Sequence, residues 1–122
     1  MKRQRKEIIG ENHELFIFVH LIMRLNEFQI VAINQLAREY FGTGTTVYLF
    51  GSRTDDAKKG GDIDLLIGNT NELALTLEAK IRFLAALKTK IGDRKIDVVF
   101  DTATTRQKKN FYRSINRQKI EL

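Results

Sequence analysis

The stretch from Leu49 to Ile67 constrains this chain more than any other. It reads as an apolar run, a Gly51-Ser52 turn, a polar loop, and a second apolar run that opens with Asp62-Ile63-Asp64. Side chains two apart on a strand project from one face. Asp62 and Asp64 therefore share a side, and Ile63 and Leu65 point into a core. Two carboxylates that close repel unless a cation sits between them. An oxygen-only donor set suits Mg²⁺ or Mn²⁺, which take few protein carboxylates and leave room for phosphate oxygens. Gly51 lets backbone approach a ligand, Ser52 offers a hydroxyl, and free N–H groups at such a turn make a phosphate cradle. The bland alternative is that a Gly-Ser turn and an Asp-x-Asp are each common and each usually structural or solvated. The combination is the specific signal.

A further acid between apolar neighbours follows at Ile96-Asp97-Val98. The order Gly-Ser, nine residues, Asp-hydrophobic-Asp, then hydrophobic-Asp-hydrophobic resembles the polymerase-β-type nucleotidyltransferase superfamily. The segment from Phe50 to Asp64 resembles its minimal branch, small proteins often found as antitoxins paired with a helical HEPN-domain toxin. The similarity runs from about Met23 to Asp101 and more loosely into the C-terminal tail. It implies that Gly51 and Ser52 contact a triphosphate, and that Arg53, matching a Gly-Ser-Arg pattern, steadies the phosphates or the loop. It implies that Asp62 and Asp64 bridge two metal ions, Mg²⁺ or alternatively Mn²⁺. Asp97 then completes the metal site and assists deprotonation of an acceptor hydroxyl. ATP as the nucleotide rests on the same resemblance, since no residue reads adenine.

Composition bounds the rest. A length of 122 residues suits one core. With no cysteine there is neither a disulfide framework nor a thiolate metal site, which fits a reducing cytoplasm. His13 and His20 have no metal-ligand spacing. The formal charge of +6 suits an anionic partner, although such an excess is most often a solvated exterior.

Residues 1–22 form an N-terminal extension, and 23–122 the expected domain. The basic start and the apolar run Leu15–Ile22 are too short to span a bilayer and lack a cleavage site, so neither a membrane segment nor a secretory signal is expected. The extension is read either as an added helix or strand, or as sequence upstream of a natural start at Met23. Asn26 with Gln29 resembles a capping box that opens a helix to Phe41. Val47–Phe50, Asp62–Ile67 and Lys95–Phe100 read as strands. A helix is expected from Asn71 to about Ile91, packed through Leu73, Leu77, Ile81, Leu84, Leu87 and Ile91. Asp93 and Asp101 read as turn residues. In the basic tail Thr104 or Thr105 would cap a helix carrying the apolar pair Phe111 and Ile115. The whole is an α/β (α+β) fold, a small mixed sheet packed by helices, as in the polymerase-β-like nucleotidyltransferase core.

A chain this short leaves no room for the added domains that grip a template or enclose a small acceptor. The expected acceptor is therefore a protein bringing its own hydroxyl. This agrees with what the resemblance implies, transfer of AMP from ATP to a tyrosine of a HEPN-type toxin within a hetero-oligomer. Two other readings stand beside it: an antitoxin that masks its toxin without turnover, and a nucleotidyltransferase for a small molecule or an RNA end. The basic tail permits phosphate contact, but no stacking motif or RNA-binding module accompanies it, so nucleic acid is not the favoured partner.

Overall fold

The structure is a computed structural model describing residues 25–51 and 62–122. Helix α1 spans Glu27–Phe41 and begins as the sequence predicts: Asn26 Oδ1 accepts the Gln29 N–H at 2.8 Å, and Gln29 Oε1 accepts the Asn26 N–H at 2.9 Å. This reciprocal pair satisfies two of the orphan donors at a helix start. Strand β1, Thr45–Phe50, follows, then β2, Ile63–Asn69, in antiparallel register. Both strands are longer than expected at one end, because Thr45 and Thr46 pair with Asn69 and Gly68. Asn69 is then pinned by bonds to the Phe41 and Thr43 carbonyls and to Thr45 Oγ1.

The second long helix departs from expectation. Asn71 caps only a single 3₁₀ turn, Glu72–Ala74, while helix α2, Leu77–Ile91, starts after Thr76, whose Oγ1 accepts the Ala79 N–H. Its buried face also differs. Phe83 and Leu87 are fully buried, whereas Leu73, Leu77 and Ile81 are 87%, 69% and 58% exposed. Of the expected stripe, Leu87 is buried and Leu84 and Ile91 pack against the core, while the bulk of Phe83 turns Leu77 and Ile81 outward. The Phe83 ring meets Phe41 at 5.3 Å, and Phe41 meets Phe100 edge-on at 5.6 Å. Burying such side chains stabilises by roughly 1.5–3 kcal/mol each.

Strand β3, Ile96–Phe100, pairs in parallel with β2. Two short helices follow, α3 (Ala103–Gln107) and α4 (Lys109–Gln118), and β4, Ile120–Glu121, returns antiparallel to β1. Neither Thr104 nor Thr105 caps α3, which starts after Thr102 with no side-chain cap; the Thr105 hydroxyl instead donates to the Phe100 carbonyl at 2.6 Å. The four strands among the described residues lie in the order β3-β2-β1-β4, a mixed sheet. Two residues of β4 are too few for an alternation to be read from sequence, yet the Leu122 N–H bonds the Val47 carbonyl and its side chain is buried.

The alternation of β1, β2 and β3 divides the sheet into two faces. Val47, Leu49, Ile63, Leu65, Ile67, Ile96 and Val98 join the main core with α1 and α2. Tyr48, Phe50, Asp64, Leu66, Asp97 and Val99 belong to the opposite face. Helix α4 crosses part of that second face, where Leu66 and Ile115 are buried outside the main core. No described helix is long and apolar enough to cross a membrane.

Candidate active site

The site lies on the second face, where β1 ends and β2 and β3 begin. Asp64 is directly opposite Asp97 in the β2–β3 register and opposite Phe50 in the β1–β2 register. Paired positions on neighbouring strands are about 4.8 Å apart, and positions two apart on one strand about 6.6 Å. Asp62 immediately precedes β2, with the next N–H, that of Ile63, bonded to the Lys95 carbonyl at 3.0 Å. This bond extends the ladder to the start of β2 and holds Asp62 on the Asp64 side. Asp62 and Asp64 are half-buried, Asp97 is exposed, and the intervening Ile63 and Leu65 are fully buried.

The three carboxylates expected to act together therefore share one corner of the sheet. At about 5 Å, two carboxylates repel by roughly 1–3 kcal/mol between water-like and surface dielectrics, so the corner favours a cation. Among the described residues, no three His, Cys, Asp or Glu side chains close around a point that could hold a metal ion. Mg²⁺ does not require such a cage. It is usually held by one or two carboxylates, with water and substrate phosphates filling its shell. The oxygen-only donors fit that mode of binding.

Gly51 follows β1 with φ of +118°, a conformation that L side chains rarely adopt. A Cβ built there would run into the Asp64 carboxylate. The positive φ calls for glycine, and a Cβ there would also displace the end of the Asp64 side chain. Ser52 and Arg53, the other expected phosphate-binding residues, lie outside the described residues, as does the extension 1–22.

A second polar cluster on the same face was not legible as such in the sequence. Asp101, two positions past Val99 and so on the same side, keeps its N–H bonded to the Ile67 carbonyl at 2.8 Å. Its carboxylate accepts the Tyr112 hydroxyl at 3.1 and 3.3 Å and Arg106 Nη1 at 2.8 Å, and Arg106 Nη2 reaches Glu72 at 2.9 Å. Both carboxylates raise the Arg106 pKa, mainly through these hydrogen bonds. Burial, then the bond to Asp101, raises that of Tyr112. Lys119 Nζ lies 4.4 Å from the centre of the Tyr48 ring, a cation–π contact. This cluster fastens α3 and α4 over the sheet. Strand parity was the available signal, since Asp97, Val99 and Asp101 alternate with Ile96, Val98 and Phe100.

The family model for the nucleotidyltransferase domain matches residues 31–121, spanning every strand, the glycine turn and all three aspartates. No curated protein matches the chain closely enough to add a substrate or partner.

Proposed function

The chain belongs to the nucleotidyltransferase-domain family, and from that premise we propose that it transfers AMP from ATP to a hydroxyl of a partner protein, a HEPN-type toxin, and so acts as its antitoxin. The observation that carries the transfer is the in-register pair Asp64 and Asp97 beside Asp62, on an exposed sheet corner with the Gly51 backbone drawn against Asp64. The protein acceptor and the toxin partner are supported by the resemblance of Phe50–Asp64 to minimal nucleotidyltransferase antitoxins.

In the proposed reaction the acceptor oxygen attacks the α-phosphorus of ATP. A new P–O bond forms, the bond to the β-phosphate bridging oxygen breaks, and pyrophosphate leaves. Asp62, Asp64 and Asp97 would hold Mg²⁺, which when bound neutralises phosphate charge and makes the acceptor hydroxyl easier to deprotonate. Asp97, the most exposed of the three, is placed to take the hydroxyl proton as general base. Gly51, in a positive-φ turn beside Asp64, is the proposed point at which backbone meets the phosphates. Ser52 and Arg53 are the proposed further phosphate contacts.

Intact-mass analysis of the HEPN-type partner, incubated with this protein, ATP and Mg²⁺, tests the reading. One or more added AMP units, lost with Asp62→Ala/Asp64→Ala, is the expected result. A stable complex with unchanged mass would replace it with neutralisation by binding alone. Neither complex nor modification would turn attention to a small molecule or an RNA end as acceptor.

A further inference from the structure

The positive charge of this chain is segregated. Residues 25–51 and 62–101 carry seven Lys and Arg against nine Asp and Glu, whereas residues 102–122 carry six against one. Two of those six are already engaged, Arg106 with Asp101 and Glu72, and Lys119 with the Tyr48 ring. The remaining four are Lys108, Lys109, Arg113 and Arg117, all exposed. None of the four joins the ion pairs among the described residues.

Their spacing matters as much as their number. Lys109, Arg113 and Arg117 recur every four residues along α4, so they stand in one row with steps of about 6 Å. The opposite side of the helix is anchored to the sheet by Ile115, which is buried, and by Tyr112 through Asp101. The row therefore faces outward on a helix whose rotation is fixed. Its charges repel one another, and i, i+4 like-charge pairs cost a few tenths of a kcal/mol each in an isolated helix.

We infer that the outer row of α4 is a docking surface for the phosphate backbone of single-stranded RNA. A protein partner would need a desolvated core of aromatic or aliphatic anchors. The row is flanked instead by Asn110 and Asn116, both exposed, and the exposed Phe111 of the same helix lies nearly half a turn away from it. Amide side chains between cations suit phosphates and ribose 2′-hydroxyls, since they both donate and accept. The row belongs to the helix that packs on the same side of the sheet as the aspartate corner, tied there by Tyr112 to Asp101 and followed by Lys119 on Tyr48. The RNA is a ligand of this helix, distinct from the proposed protein acceptor, and its binding does not depend on that reading.

The test is fluorescence anisotropy of a labelled single-stranded RNA oligonucleotide with the full chain, at a series of KCl concentrations. Three phosphate contacts give a salt slope near −2 on logarithmic axes, so a fourfold rise in salt should weaken binding by roughly 20-fold. K109Q/R113Q/R117Q should abolish most of that slope, while K88Q/K90Q, which removes exposed charge from α2, should leave the slope unchanged and the affinity within about twofold. Circular dichroism checks that both variants fold; should the triple variant unfold, the single change Arg113→Gln must still lower the slope by about 0.7. Equal weakening by the α2 variant would overturn the inference, because net charge alone would then explain binding. So would an unmeasurable affinity of the wild type for RNA, or binding of the same DNA sequence as tight as that of RNA. Competition by poly-glutamate as effective as by unlabelled RNA would reassign the row to an acidic protein.

Discussion

Asp97 and Asp101 lie four residues apart along one strand line, on the same face of the sheet, and their surroundings differ in every respect. Asp101 accepts hydrogen bonds from Tyr112 and Arg106 and lies under the C-terminal helices. Asp97 is exposed, stands across from Asp64, and joins no ion pair among the described residues. Around Asp101 the fold supplies donors that fill carboxylate lone pairs. Around Asp97 it supplies another carboxylate. A structural acid is one whose charge the protein itself neutralises. An acid placed beside its like, at a sheet corner where backbone approaches through a glycine, gains from a cation brought to that corner. The comparison sets a carboxylate held by donors against one set beside another carboxylate, with residue type and sheet face held constant.

The sharpest way to break this comparison is to remove each acid in turn and read both activity and stability. Asp97→Ala should lower the proposed nucleotidyl transfer by about 10²–10³-fold, the scale for losing one group that acts in the transition state. Its unfolding free energy should stay within about 0.5 kcal/mol, as for surface substitutions away from special features. Asp101→Ala should invert the pattern. It removes the acceptor of Tyr112 and one of the two partners of Arg106, and should cost about 1–2 kcal/mol. The lower end reflects the partly exposed, screened side of the network. Turnover per folded molecule should fall far less than for Asp97→Ala. Urea denaturation and single-turnover assays on the two variants give the four numbers. If both variants lost activity equally, the two acids would not be functionally distinct.

That contrast also marks how far the sequence could be read. Asp64 and Asp97 stand out because each sits between apolar residues of core parity, and Asp62 because it lies two before Asp64; strand alternation is short-range and strict. The capping box at Asn26 and Gln29 is equally local, and the structure forms it as expected. Asp101 could be placed beside a turn, but its partners are 5 and 11 residues away across a helix junction, and no periodicity predicts that they converge. The expected facing of α2 held for Leu84, Leu87 and Ile91 but not for its first half, for a related reason. Leu73, Leu77 and Ile81 make as good an apolar stripe as the one that is buried, and only the position of Phe41 in three dimensions decides for Phe83. Local rules identify elements and candidate ligands. Which of two stripes faces inward, and which acid finds donors, depends on tertiary contacts.

A smaller effect should come from the turn that faces the corner. Gly51→Ala places a Cβ at φ of +118° and against the Asp64 carboxylate, so the strain of the turn and the steric conflict add. Backbone strain of this kind costs about 1–3 kcal/mol, and part of it should vanish when the carboxylate is shortened. The double variant Gly51→Ala/Asp64→Ala should therefore be less destabilised than the sum of the single changes, by about 0.5–1 kcal/mol in a double-mutant cycle. Strict additivity would show that Gly51 serves the turn alone and has no part in shaping the Asp64 side of the corner.

The smallest expected effect probes the fastened end by pH. Burial first, then the carboxylates of Glu121 and Asp101 and the neighbouring Tyr112, raise the Tyr48 pKa; burial first, then the bond to Asp101, raises that of Tyr112. A raised phenol pKa in the folded state means that folding favours the protonated form. The associated stability is complete below the ordinary tyrosine value of about 10 and is lost as pH rises through the folded-state value. Thermal melts between about pH 9 and pH 11 should thus show Tm falling. Lysines titrate in the same range, so the decline of the wild type alone does not identify its source. Tyr112→Phe should lower stability by about 1 kcal/mol at neutral pH through loss of the hydrogen bond, and then decline less steeply than the wild type in alkali. Asp97→Ala, at the open corner, should leave the alkaline slope as it is. Parallel curves for wild type and Tyr112→Phe would mean that the phenol of Tyr112 does not titrate against the fold. The fastening of α4 would then rest on the burial of Ile115.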